Sequence, residues 1–238
     1  MKSPAWRFSL MLVLLGLGVT IATWQVAAAQ EQSVRPGINK SYEKLTGDDA
    51  VKRFETESRE IYRQRGEIVA ACQLKSGMDV ADVGAGSGLF TRLMAAKVQP
   101  GKVFAVDITR SFVEHVEKTC HEEKLDNVRG IVCTPTSTEL PAASIDLAFL
   151  CDVYHHLEYP QKSLASIHQA LRPGGRLVVV DFRREKGVSP DWIMSHVRAD
   201  KKTVIEEVTA AGFKLIDEPE LMKEQYVLRF QRVDRIAN

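Results

Sequence analysis

The sequence lacks an excess of charge of either sign. Its 238 residues include 32 lysines and arginines against 31 aspartates and glutamates, so the formal net charge is +1. It also lacks a dense run of basic residues. Proteins that bind nucleic acids usually carry a concentrated basic surface, because they must neutralise phosphates. We therefore expect no nucleic-acid partner.

Internal repeats and an obvious second domain are also absent from the sequence. Hydrophobic residues make up 45% of the chain and charged residues 26%, a balance that can bury one sizeable core. We expect one monomeric globular domain over residues 47–232 and a short tail over residues 233–238.

An uncharged apolar run, Phe8 to Trp24, lies near the N-terminus and follows the basic residues Lys2 and Arg7. Three alanines, Ala27 to Ala29, follow and provide a small-residue cleavage site after Ala29. This order predicts a secretory signal peptide over residues 1–29, and export to the periplasm or beyond the cell. The alternatives are an uncleaved segment that tethers the domain to the membrane and a misassigned start codon.

The next segment, residues 30–46, is polar and contains Pro36 and Gly37. It predicts a flexible tether. Asp48 or Asp49 can then cap one helix that continues to about Leu74.

A glycine turn lies at the centre of the predicted fold. Val80 to Val83 predict a strand, the glycines 84, 86 and 88 predict a turn, and apolar residues at helical spacing follow from Leu89. Such a turn lets a ligand approach bare backbone at a helix N-terminus. The dinucleotide fingerprint Gly-x-Gly-x-x-Gly requires a glycine where Leu89 stands, which disfavours an NAD-dependent oxidoreductase.

Strands and helices alternate after this turn. Further strands are predicted at Val103–Asp107, Val128–Cys133, Ile145–Leu150 and Arg176–Phe182, and a pair of strands is predicted at Phe213–Ile216 and Tyr226–Phe230. The alternation predicts an α/β fold with a parallel, doubly wound sheet.

The string Asp82-x-Gly84-x-Gly86-x-Gly88, followed by a strand that ends in Asp107, resembles the first motifs of the class I S-adenosylmethionine (SAM)-dependent methyltransferases. The resemblance extends from about Asp48 to Arg232. It implies a Rossmann-like sheet of seven strands in the order 3-2-1-4-5-7-6, with strand 7 antiparallel, and SAM as the co-substrate.

The same resemblance implies a helical lid near the N-terminus. Arg53, Glu55 and Arg59 are candidate lid residues, and the alternative is a solvated helix face with paired charges.

Ligands of open α/β sheets bind beyond the carboxyl ends of the strands, where the strand order reverses. Asp107 lies where a carboxylate can accept hydrogen bonds from both ribose hydroxyls. The resemblance implies that Asp152 contacts the methionine end of SAM. Relatives often carry an acid near Thr136, whose hydroxyl or backbone would here hold adenine. The implied cofactor-binding residues are Asp82, Gly84, Ala85, Gly86, Gly88, Asp107, Ile108, Thr136, Cys151 and Asp152.

The segment from Asp152 to Leu157 is similar to the Asp-x-x-His-His-Leu segment of small-molecule methyltransferases. His155 and His156 are therefore candidate catalytic residues that line the acceptor pocket. A histidine with a pKa of about 6.5 can act as a general base toward a phenol or enol. The alternative is a structural hydrogen bond at a helix start. No metal site is expected, because two adjacent histidines without a third ligand lack a zinc-binding spacing.

These features predict transfer of a methyl group from SAM to a small-molecule phenol, quinol, thiol or similar acceptor. The sequence lacks Asn-Pro-Pro-Tyr after the fourth strand, which disfavours methylation of amino groups on bases or glutamine. The alternative is an exported, non-catalytic protein that binds SAM or a nucleotide, because SAM is made in the cytoplasm.

Cysteines are few: the chain has four. Cys72 and Cys120 lie on predicted helices, where buried thiols are common. Cys133 and Cys151 follow strands that are about 14 Å apart at about 4.8 Å per strand. A disulfide requires Cα atoms within about 7 Å, so no disulfide is expected.

Overall fold

Seven strands form one sheet in the computed structural model, which describes residues 30–57 and 59–233. They are β1 (Val80–Val83), β2 (Val103–Asp107), β3 (Val128–Val132), β4 (Ile145–Cys151), β5 (Leu171–Phe182), β6 (Phe213–Asp217) and β7 (Gln225–Arg232). The order is β3-β2-β1-β4-β5-β7-β6. The first five strands of this order are parallel, and β7 is antiparallel to both of its neighbours. The predicted sheet is confirmed, including its strand order and its antiparallel strand.

Helices cover both faces of the sheet. They are α1 (Gly47–Phe54), α2 (Glu60–Arg63), α3 (Arg65–Ala71), α4 (Leu89–Val98), α5 (Arg110–Glu122), α6 (Pro160–Ala170), α7 (Asp191–His196) and α8 (Lys201–Ala210), with a 3₁₀ turn at Tyr154–His156. A set of buried residues from α3, α4 and α5 packs on one face, and a set from α6 and α8 packs on the other.

The strand β4 is apolar at successive positions from Leu147 to Leu150 because both of its faces are covered. Leu147 and Phe149 belong to the core cluster that includes Met94 of α4, whereas Ala148 and Leu150 belong to the opposite cluster. Because successive side chains of a strand point to opposite faces, a strand covered on both sides must be apolar at every position. Each large side chain buried in this way stabilises the fold by roughly 1.5–3 kcal/mol.

The N-terminal helical region differs from its prediction. Three helices, α1, α2 and α3, replace the single helix expected from Asp48 or Asp49 to Leu74. The cap is Thr46, whose side chain accepts a hydrogen bond from the backbone N–H of Asp49 while the Asp49 side chain accepts one from the Thr46 backbone N–H. The single-helix prediction fails because the side chains of Glu55 and Arg59, between α1 and α2, bind partners elsewhere in the fold.

Residues 30–46 also differ from the predicted flexible tether, because they pack on the folded domain. The backbone N–H of Val34 donates to the Glu158 carbonyl at 2.9 Å. The Asn39 amide donates to the His156 carbonyl at 3.1 Å. The segment therefore forms part of the wall around the histidines rather than a free linker.

The predicted signal peptide over residues 1–29 lies outside the described residues, as do residues 234–238 of the predicted tail. Within residues 30–57 and 59–233, none of the helices combines the length and apolar character that a bilayer crossing requires.

Candidate active site

The turn after β1 brings bare backbone to the centre of the sheet edge. Gly84 and Gly86 both adopt positive φ angles, of 78° and 55°. A Cβ atom at Gly84 would lie 2.3 Å from a methyl group of Val153, so a larger residue does not fit without displacement of its neighbour. Positive φ favours glycine because side chains clash there. The turn therefore offers a concave backbone surface next to the start of α4.

Asp107, the last residue of β2, organises this turn. Its Oδ2 accepts a hydrogen bond from the Gly86 backbone N–H at 2.9 Å, and its Oδ1 accepts one from the Thr109 backbone N–H at 2.8 Å. Burial raises the pKa of Asp107, although these backbone donors act in the opposite direction. Each carboxylate oxygen keeps a second lone pair for a ligand.

Two adjoining cavities of about 250 Å³ and 140 Å³ lie beside the turn. The first, here called the histidine cavity, is lined by Asp82, Ala85, Cys151, His155 and His196. The second, the Asp107 cavity, is lined by Asp107, Ile108, Phe112, Pro135 and Ser137. Both cavities are lined by Tyr42, Phe54, Gly84, Gly86, Asp152, Val153 and His156. The two cavities therefore form one elongated cleft with distinct ends.

The structure brings most of the predicted site residues into this cleft, but Gly88 and Thr136 line neither cavity. Gly88 caps α4 with φ of 78°, and a Cβ atom there would lie 2.8 Å from the Val116 side chain. Its position indicates a packing role. Thr136 is partly buried and lines neither cavity, whereas its neighbours Pro135 and Ser137 line the Asp107 cavity.

Asp82 lies beneath the glycine turn and is almost fully buried. Its Oδ2 accepts a hydrogen bond from the Thr91 hydroxyl at 2.6 Å. Burial raises the pKa of Asp82 to about 7, and the nearby Asp107 carboxylate contributes in the same direction. This carboxyl therefore ties β1 to the first turn of α4.

Asp152 lies where the two cavities join. It follows β4 with a positive φ of 52°, a conformation that costs a non-glycine residue roughly 1–3 kcal/mol. Its Oδ2 binds the Arg59 guanidinium at 2.6 Å. Its Oδ1 is buried and has no hydrogen-bond partner among the described residues. Burial raises the pKa of Asp152 to about 7, with a further contribution from Asp181.

Three histidines meet at the far end of the histidine cavity. His155 donates from Nδ1 to Asp181 Oδ1 at 2.7 Å, and His156 donates from Nδ1 to Asn39 Oδ1 at 3.2 Å. The ring of His196, at the end of α7, lies 5.1 Å from the ring of His155 and 5.2 Å from that of His156. The expectation that no third ligand is near the adjacent histidines is wrong, because the fold brings His196 to them.

These histidines differ in their ionisation. Burial lowers the pKa of His156 to about 3, with help from the neighbouring histidines. Burial also lowers the pKa of His196. Burial acts in the same direction on His155, but the charge and hydrogen bond of Asp181 outweigh it and raise its pKa.

The segment around α1 covers the cleft as a lid. The Phe54 ring lies 3.4 Å from the position that a Cβ atom of Gly86 would take. The Arg53 guanidinium stacks 5.1 Å above the Tyr42 ring. Glu55 binds Arg92 of α4 through both carboxylate oxygens, at 2.8 and 2.9 Å. Of the three candidate lid residues, Arg53 and Arg59 line the histidine cavity, and Glu55 anchors the lid.

All four cysteines are free. Burial raises the pKa of the Cys133 thiol to about 12, and it raises that of Cys151, which lines the histidine cavity, well above its ordinary value. Because the thiolate is the nucleophilic form, these cysteines are poor nucleophiles.

Sequence reasoning missed Asp181, His196, Asn39 and Tyr42. Asp181 carries a signal that could have identified it, because it lies near the carboxyl end of β5 as Asp107 does at the end of β2. His196 and Asn39 carry no such signal. They belong to segments far along the chain in either direction, and only the fold brings them together.

Comparison with known proteins gives consistent results. Residues 81–179 match the family model of a methyltransferase domain. The chain is 31% identical over 126 residues to an uncharacterised 37.1 kDa protein in transposon Tn4556 of Streptomyces fradiae, over 52% of this chain and 34% of that protein. It is 26% identical over 133 residues to the ubiquinone/menaquinone biosynthesis C-methyltransferase UbiE of Bordetella parapertussis, over 54% of this chain and 51% of UbiE. These matches thus span about a third to a half of the length of the two curated relatives.

The fold is also similar to a solved structure. A SAM-dependent methyltransferase of Aquifex aeolicus superimposes with a TM-score of 0.71 at 22% identity, over 80% of this chain and 100% of that one. The fold is therefore the Rossmann-like fold of the class I methyltransferases. The match of residues 81–179 to a methyltransferase domain agrees with this fold.

The cleft fits SAM in its chemistry. The positive-φ glycines leave room for a ligand against the backbone, and Asp107 presents buried carboxylate oxygens to the Asp107 cavity. The unpaired Oδ1 of Asp152 can accept a hydrogen bond from a cationic amino group at the junction of the two cavities. SAM carries ribose hydroxyls and such an amino group.

Proposed function

We propose that the protein transfers the methyl group of SAM to a small molecule that carries an ionisable hydroxyl or thiol. The observation that carries this proposal is the continuity of the cleft. Asp152 and the glycine turn line the same cavity as three imidazole rings, so a group beyond the methionine end of SAM would meet those rings.

In this proposal the two ends of the cleft and their junction have separate tasks. Asp107 binds the ribose hydroxyls, and Asp152 binds the amino group of the methionine moiety. SAM supplies a methyl group that its sulfonium charge already activates. His155 and His156 line the acceptor end with His196, where an acceptor that arrives protonated passes its proton to a ring nitrogen of one of these histidines.

The transfer itself needs little covalent chemistry from the protein. The S–CH₃ bond breaks, its electron pair stays on sulfur to give S-adenosylhomocysteine, and the acceptor's lone pair forms the new bond to carbon. Alignment of the two reactants can supply roughly 7–11 kcal/mol of the barrier. The lid residues Tyr42 and Phe54 contribute by covering the cleft against water.

The lining of the histidine cavity favours a flat aromatic acceptor. Phe182 packs edge-on against both His155 and Trp192, with ring centroids 5.8 and 5.1 Å apart. Tyr42 and Phe54 also line this cavity. A phenol or quinol could lie among these rings. The similarity to UbiE, which is named for quinone biosynthesis, supports the same class.

The experiment is an assay for release of S-adenosylhomocysteine from SAM with a panel of small phenols, quinols and thiols. We expect turnover with at least one aromatic acceptor, and strong loss of turnover in His155→Ala. His121→Ala is the matched control, because His121 is exposed on the surface of α5. Binding of SAM without turnover on any panel member would instead favour a non-catalytic SAM-binding protein.

We also propose that the protein is exported. The support is the order of Lys2, Arg7, an apolar run and Ala27 to Ala29 in the sequence. Cell fractionation with N-terminal sequencing tests this, and the expected mature chain begins at Gln30. A cytoplasmic species that begins at Met1 would refute export, and a membrane-bound species that retains Met1 would indicate an uncleaved anchor.

A further inference from the structure

We propose that His155, His156 and His196 together bind a divalent transition-metal ion, with Zn²⁺ the best match, at the acceptor end of the histidine cavity. Metal binding stands on the geometry alone. Its consequence for catalysis, argued below, rests on the proposed function.

The three imidazole rings are close enough to share one ion. Each histidine has a ring nitrogen, Nδ1 or Nε2, such that the three nitrogens all lie within 4.8 Å of one another. Zinc–nitrogen bonds of about 2.0–2.1 Å in tetrahedral geometry place ligand nitrogens about 3.4 Å apart. Because the rings already converge, modest rotations of the three side chains reach that separation.

Hydrogen bonds from residues outside the cluster hold two of the three rings. Asp181 accepts from Nδ1 of His155, and Asn39 accepts from Nδ1 of His156. These hydrogen bonds leave Nε2 of His155 and Nε2 of His156 available for another partner. Histidines that bind metals usually donate their other ring N–H to a carboxylate or carbonyl in this way, which fixes the tautomer and the ring orientation.

These partners are themselves fixed. Asp181 accepts hydrogen bonds from the backbone N–H groups of His155 and Phe182, at 3.0 and 2.7 Å. The Asn39 amide donates to the His156 carbonyl, which orients its oxygen toward the His156 ring. The two adjacent histidines are therefore held before any ion arrives.

The chemistry of the donors selects the class of ion. Imidazole nitrogens suit Zn²⁺, Cu²⁺, Fe²⁺ and Ni²⁺, whereas Mg²⁺ and Ca²⁺ prefer oxygen ligands. Three protein ligands with an open position are typical of catalytic zinc sites, and structural zinc sites usually have four. The open position here faces the cavity that Asp152 and Trp192 also line.

The ion would activate the acceptor of the proposed methyl transfer. An acceptor hydroxyl bound to the metal loses its proton more readily, because the positive ion stabilises the oxyanion. The O–H bond breaks, its electron pair remains on the metal-bound oxygen, and the proton passes to water. The histidines then act as ligands, and the oxyanion is held beside the methyl-donor end of the cleft.

The test uses the full-length chain without a polyhistidine tag, stripped of metal by a chelator and titrated with Co²⁺ as a spectroscopic probe. We expect one equivalent to bind with the visible absorption of a four- or five-coordinate site. His196→Ala and His196→Asn should weaken Co²⁺ binding by about 100-fold or more, and Asp181→Asn by about 10–100-fold. His121→Ala, which changes an exposed histidine outside the cluster, should bind like the wild type.

Failure of the wild type to bind Co²⁺ or Zn²⁺, or unchanged affinity in folded His196 variants, would overturn the metal site. A parallel titration with SAM separates the two proposals. SAM-dependent turnover that a chelator does not reduce would refute the ion's role in activating the acceptor and keep the proposed function. Stoichiometric Co²⁺ binding without SAM binding would support the metal site and remove the proposed function.

Discussion

Asp107 is the residue on which the proposed cofactor position depends most. Its carboxylate already accepts two backbone hydrogen bonds, and it borders the Asp107 cavity. Asp107→Asn keeps the size of the side chain and removes its charge. We expect SAM affinity to fall by an amount that corresponds to roughly 1.5–3 kcal/mol, the value of one charge-assisted hydrogen bond.

Isothermal titration of Asp107→Asn with SAM measures this change, and circular dichroism checks the fold. Asp126→Asn is the control, because Asp126 is exposed. If the folded Asp107→Asn protein binds SAM as the wild type does, Asp107 has only a structural role.

A substitution at Gly84 tests whether the turn needs a residue without a side chain. Its positive φ and the Val153 methyl at 2.3 Å oppose any Cβ atom. Gly84→Ala should lower the free energy of unfolding by about 1–3 kcal/mol. Gly66, in α3, has open space around it, so Gly66→Ala should raise stability by about 0.5–1 kcal/mol. Urea unfolding of both variants checks the pair, and equal effects of the two substitutions would contradict the account.

At the scale of elements, the lid is attached to the domain by two ion pairs. Glu55 binds Arg92 of α4, and Arg59 binds Asp152 at the end of β4. Glu55 and Arg59 both belong to the connection between α1 and α2. Both ion pairs are largely shielded from solvent. They therefore join the lid to elements that carry the cleft.

We predict that Glu55→Gln loosens the lid alone. Loss of the charge and of one of the two acceptor oxygens that bind Arg92 should speed amide hydrogen exchange in α1 and leave exchange in β1 and β4 unchanged. Glu57→Gln is the matched control, because Glu57 is exposed and close in sequence. Hydrogen exchange measured by mass spectrometry reports both variants, and equal protection of α1 in the two would exclude this anchoring role.

At the scale of the whole molecule, a buried carboxyl links stability to pH. Burial raises the pKa of Asp82 from 3.8 to about 7. Between these values the folded state keeps a proton that the unfolded state releases, so this contribution is fully present below pH 3.8 and is lost as pH rises toward 7. The slope is up to about 1.4 kcal/mol per pH unit.

Asp82→Asn removes this titration while keeping an oxygen that can accept from the Thr91 hydroxyl. The stability of the wild type relative to the variant should therefore fall as pH rises from about 4 to about 7. Urea unfolding at several pH values measures the difference. A difference that stays constant across this range would show that Asp82 titrates normally.

The fold was largely predictable because its signals are local. Apolar strands, the glycine turn and the alternation with helices depend on short stretches of chain, and β4 is apolar at successive positions for the reason its two-sided burial requires. The glycine turn and Asp107 could likewise be recognised from sequence, since both follow strands directly.

The histidine cluster and the lid depend on contacts between distant segments. His196 lies beside His155 because α7, which ends at His196, packs there. Asn39 contacts His156 from the segment predicted to be a tether. Glu55 and Arg59 break the expected long helix because their ion-pair partners lie on α4 and after β4. Helical periodicity alone cannot report such partners.

Binding of SAM to the cleft is tested by titrating the full-length protein with SAM and measuring both the heat released and the change in melting temperature. We expect saturable binding of one SAM per chain, a higher melting temperature with SAM bound, and weaker SAM binding in Asp107→Asn. Absence of heat and of any thermal shift at millimolar SAM, with stabilisation by NAD⁺ instead, would contradict this expectation.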